Sequence, residues 1–225
     1  MSFHFPDVRK NVDLGMGKSK SIHDFNLSRY ACYLIVQNGD PRKKVIALGQ
    51  TYFAVQTRKS EEMQAFNKLD ENSKRLVVRN QIRLSNQLLA SAAYQANITT
   101  NKQFATFQNY GYRGLYGGLS VRDIHQHKKL KQQDKILDHM GSTELGANLF
   151  RITQTEARLT NESVSQPQEA NAIHYDVGKK VREFMVTMST GLPEELAIPD
   201  KNIQTIEQEE ITKNRTFVPP LMLDE

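Results

Sequence analysis

"QEANAIHYDVGKKVREFMVTM", residues 168–188, is the stretch from which the rest of the chain can be read. Ala170, Ile173, Val177, Val181, Phe184 and Met188 recur at steps of three and four. That spacing stacks side chains on one face of an α-helix. A stripe so regular has to be covered. Neighbouring helices can do it, making the stripe core, or a second protein surface can, making it an interface.

Working outward, the same periodicity recurs along most of the chain. "SVSQPQ" (163–168) reads as a linker, and before it Leu145, Leu149, Ile152 and Leu159 form another stripe behind a cap at Ser142 or Thr143. Ser120 and Asp123 form a capping-box pattern ahead of "VRDIHQHKKL". "NITTNKQFATFQNYGYRGLYGG" (97–118) is rich in glycine and aromatics and reads as an interruption between helices. A helix begins at Asp70 or Ser73, with Val77, Leu84, Leu88 and Ala92 inward and Lys74, Arg75, Arg79 and Arg83 outward. Pro41 to Phe66 reads as the helix before it, with Val45, Leu48, Tyr52, Val55 and Met63 on its inner side.

At the front, "SRYACYLIVQNGDPRKKV" (28–45) changes from apolar to basic across Asn38-Gly39-Asp40-Pro41. Ser28 can cap a first helix, Gly39 can end it in the left-handed region, and Asp40 with Pro41 can start the next. Gly15 and Gly17 sit among short alternating segments that suit a strand or hairpin. Four prolines and a Glu-rich stretch follow Gly191. The predicted fold is mainly α: a helical bundle-like core, a small N-terminal β element and an extended acidic C-terminal tail. Its expected divisions are a basic front (1–100), a helical part (101–190) and a Pro/Glu-rich tail (191–225).

Charge divides the chain more sharply than composition does. The whole carries a net +5, but residues 1–135 hold +12 and residues 136–225 hold −7. A basic front opposite an acidic back suggests a polyanion partner, although basic surfaces also serve solubility alone. The longest apolar run, Ala31 to Val36, is too short for a membrane span, and the N-terminus lacks a signal-peptide pattern. Cys32 is the only cysteine, so no internal disulfide forms. These features predict a cytoplasmic protein.

Catalytic patterns are missing. "GMGKSKS" (15–21) ends like a phosphate loop, but Val12 stands where that motif needs glycine. His125 and His127 are two residues apart, a spacing that points them to different sides of a helix. There is no G-x-S-x-G elbow and no obvious acid/base pair of carboxylates, so neither an enzyme nor a metal or other cofactor is expected.

The basic positions carry more. Arg42, Lys43 and Lys44 would lie in a first helical turn, where cations oppose the helix dipole and an anionic partner offsets the cost. Arg29, Arg58, Lys59, Arg75, Arg79 and Arg83 would extend that surface to DNA phosphates. In "FQNYGYRGLYGG" (107–118), Tyr110, Tyr112 and Arg113 could stack on unpaired bases, or the rings could fill a small core. Residues 118–142 also suit a helix-turn-helix pair, but their connector, Lys131 to Asp134, lacks the usual glycine.

"LSRYACYLIVQNGDP", "GQTYFAVQTR", "FQNYGYRGLYGGL" and "KILDHMGSTELGANLFRITQTEARL" together resemble the bacterial DNA-damage-inducible protein D family. The similarity continues through "HYDVGKKVREFM" to "LPEEL", about residues 4–196. The front also resembles part of the BRO-type N-terminal domain of viral and phage DNA-binding proteins. Family members carry several dozen residues ahead of the segment matching "HFPDVRKNVDLG", so the resemblance implies a partial BRO-type domain here. It further implies a non-catalytic protein of the SOS response that binds DNA or modulates RecA recombinase filaments on single-stranded DNA. The alternative is an interaction module that binds recombinase, or a second copy through residues 168–188, without touching DNA. No established binding residues come with the family.

Overall fold

A computed structural model describes residues 4–216 and divides the chain into two compact units, 1–68 and 69–225. The division falls well before the expected boundary at residue 100.

Unit 1 begins with an antiparallel ribbon. Strands β1 (Asp7–Asp13) and β2 (Ser19–Phe25) pair from Asp7 opposite Phe25 to Asp13 opposite Ser19. The turn between them takes positive φ at Gly15, Met16 and Gly17. Ser28 then caps α1 (Arg29–Asn38), accepting from the Ala31 amide at 3.1 Å. Gly39 does not take the left-handed conformation expected of it; its φ is −78°. The reason for glycine is space, since a Cβ there would lie 2.8 Å from Ile46 Cδ1. Asp40 accepts from the Arg42 amide, and α2 (Lys44–Lys68) starts three residues later than the sequence suggested. Gly49 lets Val36 of α1 approach, Tyr33 meets Phe53 edge-on, and Gln50 donates to the carbonyls of Val36 and Gly39. The predicted inner stripe of α2 is uncovered: Val45, Leu48, Tyr52, Val55 and Met63 are all exposed. α1 covers the stripe through Ile46, Gly49, Gln50 and Phe53 instead, and Cys32 is only half-buried.

Unit 2 holds the core. It contains α3 (Glu71–Gln95), α4 (Asn101–Leu115), α5 (Val121–His127), α6 (Ser142–Asn161), α7 (Pro167–Thr187) and α8 (Ile203–Thr216). α4 packs on α7, α3 on α6, and α6 on α7, while α8 lies against α3. The 168–188 stripe is core: Ala170, Ile173, Val177 and Val181 are buried, and only Phe184 and Met188 emerge. The region read as an interruption is the helix α4. Thr100 and Gln103 form its capping box, a local signal that the glycines masked. Gly111, Gly114 and Gly178 are close-approach residues. A Cβ on Gly114 would overlap the Tyr175 carbonyl, and one on Gly178 would lie 2.7 Å from the Gly111 carbonyl. Positive φ at Gly117 and Gly118 ends the helix. The Ser120/Asp123 capping box of α5 forms as expected.

Two further expectations change. On α3 the expected phase fails at most positions: Ala92 is buried and Arg83 exposed as predicted, but Val77, Leu84 and Leu88 are exposed, whereas Arg75 and Arg79 are buried. Of the tail read as extended, Ile203–Thr216 is helical, with Ile203 and Ile206 buried against Leu76. Residues 217–225 lie outside the described part.

Candidate nucleic-acid interface

Burial and acid partners decide which of the sequence-derived cations can meet a phosphate. Arg75 is fully buried and donates to three main-chain carbonyls: Met140 at 2.8 Å, Lys201 at 2.8 Å and Asp138 at 3.1 Å. Arg79 pairs with the buried Asp138 carboxylate at 2.7 Å. Such groups are spent on the interior, because a guanidinium is buried only where enough acceptors replace its water. Tyr112 is buried too, with the Arg151 guanidinium 4.8 Å from its ring centre. These three residues leave the candidate surface, and the ring-filled core reading holds for Phe107, Tyr112 and Tyr116.

Three more cations are exposed but engaged. Arg42 forks onto Asp40, Arg58 reaches Glu62 at 2.9 Å, and Arg83 reaches Glu207 at 2.7 Å. The Asp40 carboxyl is held below its ordinary value by that guanidinium. Arg29, Lys43, Lys44 and Lys59 remain exposed, and no described acid pairs with them. On α4, Tyr110 and Arg113 are both exposed and stand three residues apart, so a ring and a guanidinium stay on one helix face. The sequence reading passed over Arg9, Lys10, Lys18 and Lys20. All four lie on the β1–β2 ribbon, exposed and without a described acid partner. Two basic groups therefore survive, one in each unit, with the denser in unit 1.

Sequence reasoning also missed a polar network inside unit 2. Glu144 is fully buried; it takes a hydrogen bond from the Tyr116 hydroxyl at 2.6 Å and an ion pair from Lys128 at 2.9 Å. Lys128 is itself 3% exposed. Burial pushes the Glu144 carboxyl up, with Lys128 and Tyr116 opposing. Alongside, Arg151 contacts His174 Nε2 and Asn148 Oδ1. Burial and the adjacent Arg151 push His174 well below its ordinary value, so the ring is neutral. Gly111 makes room for both, since any side chain there would overlap them. The signal was available: Glu144, Asn148, Arg151 and Thr155 repeat at helical spacing beside the apolar stripe of α6. Enclosed as it is, the network ties helices together and offers no surface to a substrate. Among the described residues, no cluster of His, Cys, Asp and Glu suits a metal ion, and no helix is long and apolar enough to cross a membrane.

The pattern of similarity follows the same division. Residues 69–206, nearly the whole described part of unit 2, match the DinD C-terminal domain. DNA damage-inducible protein D of Escherichia coli (strain K12) is 52% identical over 206 residues, which covers 91% of this chain and 75% of that protein. The chain belongs to the DinD family.

Proposed function

We propose that this protein acts in the response to DNA damage by binding DNA through unit 1, without catalysis, and so bears on RecA filaments assembled on single strands. One observation carries the reading: Arg29, Lys43, Lys44 and Lys59 are exposed and free of described acids, while Arg75 and Arg79 of α3 are internal and Arg83 is paired with Glu207. A family relative named for DNA damage supports the biological setting. Tyr110 and Arg113 offer a second, smaller contact on unit 2, where a ring can stack on a base beside a phosphate-seeking guanidinium.

Fluorescence anisotropy with a labelled single strand tests the reading. Four phosphate contacts weaken binding roughly 50-fold between 50 and 200 mM salt. Lys43→Glu with Lys44→Glu lowers affinity alike for every sequence. Binding that ignores salt, or ignores this double substitution, rejects the assignment. Repeating the titration with RecA present separates an effect on free strands from one on the filament.

A protein-interaction module is the second reading. Val45, Leu48, Tyr52 and Val55 on α2 are exposed apolar side chains in a row, and Phe150, Val177, Val181 and Phe184 line an open groove between α6 and α7. A chain that sediments with RecA but binds no DNA favours this alternative.

A further inference from the structure

The β1–β2 ribbon presents two chemically different faces. Cross-strand pairing puts Val8 opposite Asp24, Lys10 opposite Ile22 and Val12 opposite Lys20 on one side. Arg9 opposite His23 and Asn11 opposite Ser21 lie on the other. Only Val8 and Asp24 are partly covered, and both belong to the first side. That side carries three aliphatic residues, Val8, Val12 and Ile22. Every residue of the second side is exposed, and its central four are all hydrogen-bonding side chains.

We infer that this second face reads base edges in the major groove of duplex DNA. The inference rests on the DNA-binding reading above and names the element and the form of DNA. A two-stranded ribbon fits the groove, which is about 12 Å wide. Arg9 has the fork that matches guanine O6 and N7, Asn11 the amide that matches adenine N6 and N7, and Ser21 donates or accepts at either. Lys18 stands at the turn beside the reading face, where a groove phosphate passes, while Lys10 and Lys20 project from the opposite face. The acids on the reading face are already engaged. Asp13 accepts from the Gly15 amide at 2.8 Å and shapes the turn, and Asp7 lies 3.5 Å from His23 Nε2. Both stand at the ends of the paired strands, outside the central four residues of the face.

The test uses the full chain, a labelled mixed-sequence duplex, one of its single strands, and the same duplex with every guanine replaced by 7-deazaguanine, which lacks the N7 acceptor. The wild type binds the normal duplex and loses about tenfold on the deaza duplex, in line with one bidentate contact. Arg9→Ala with Asn11→Ala binds the normal duplex more weakly and no longer distinguishes the two duplexes. Arg9→Lys keeps the charge and the strand but not the fork, and it distinguishes them less than the wild type does. This variant covers the case in which the alanine pair loosens the hairpin. Wild-type binding that is equal on both duplexes, or confined to the single strand, overturns the groove assignment and leaves DNA binding standing. A wild type silent on every probe overturns both.

Discussion

α2 and α3 are each 25 residues long, and each mixes cations with an apolar stripe, yet they meet opposite fates. α2 buries nothing. α3 buries nine residues, two of them arginines, while three of its larger aliphatics stay outside. The difference lies in what waits opposite. The groups facing α3 include the Asp138 carboxylate and the carbonyls of Asp138, Met140 and Lys201, so the face that carries Leu76, Ile82 and Leu89 can take two arginines inward with it. Helical periodicity identifies a helix, but polar partners far along the chain choose which of its faces is the inside.

That contrast is easiest to break with Arg79. Arg79→Ala strands the Asp138 carboxylate, whose side chain is 5% exposed, and such a change costs about 3–5 kcal/mol. Urea unfolding reads it as a lower midpoint at unchanged slope. Arg58→Ala on α2 removes an exposed pair and leaves the midpoint where it was. Equal effects of the two substitutions would dissolve the distinction between the helices.

Glycine sharpens the comparison at a smaller scale. Gly114→Ala drives a methyl group into the main chain of α7, a fixed obstacle, and destabilises unit 2 by about 1–3 kcal/mol. Gly49→Ala in unit 1 meets a Val36 side chain at 2.7 Å, which can turn aside, so its melting temperature falls less. Calorimetry on both variants gives the order, and the reverse order would mean that α4 and α7 are not locked together.

The third effect vanishes at neutral pH. His174 is neutral in the fold because burial and Arg151 depress its pKa, whereas in the unfolded chain it takes a proton at its ordinary value of 6.5. The unfolded state therefore binds the extra proton, and stability contributed by the neutral ring is lost as pH falls below about 6.5. Denaturant midpoints between pH 7 and 5 should decline, and less steeply for His174→Asn. An identical decline in that variant would assign the acid sensitivity to other groups.

Local signals in the sequence were legible and distant ones were not. Ser28, Asp70 and the Ser120/Asp123 box set helix starts through partners within three residues, so the string of letters contains the whole interaction. The 168–188 stripe also held, because an apolar face of that regularity finds cover. α4 was misread because Gly111 and Gly114 look like helix breakers, and their purpose, contact with α7, involves residues some sixty positions away. Arg75 and Arg79 were misassigned to the surface for the same reason, since their acceptors lie about as far off. Of the proposed interface, Arg29, Lys43, Lys44, Lys59, Tyr110 and Arg113 keep the exposure the sequence suggested. The ribbon's reading face could be seen only once the strand register paired Arg9 with His23.

The Lys201 carbonyl that Arg75 grips has a practical corollary for anyone trimming the protein. A version stopping at the end of α7 would remove one acceptor from a guanidinium sealed away from water and strip Ile203 and Ile206 from Leu76. A piece that seals this interior runs from Asp70, the cap of α3, through α8, and that last helix is the stopper rather than an appendage.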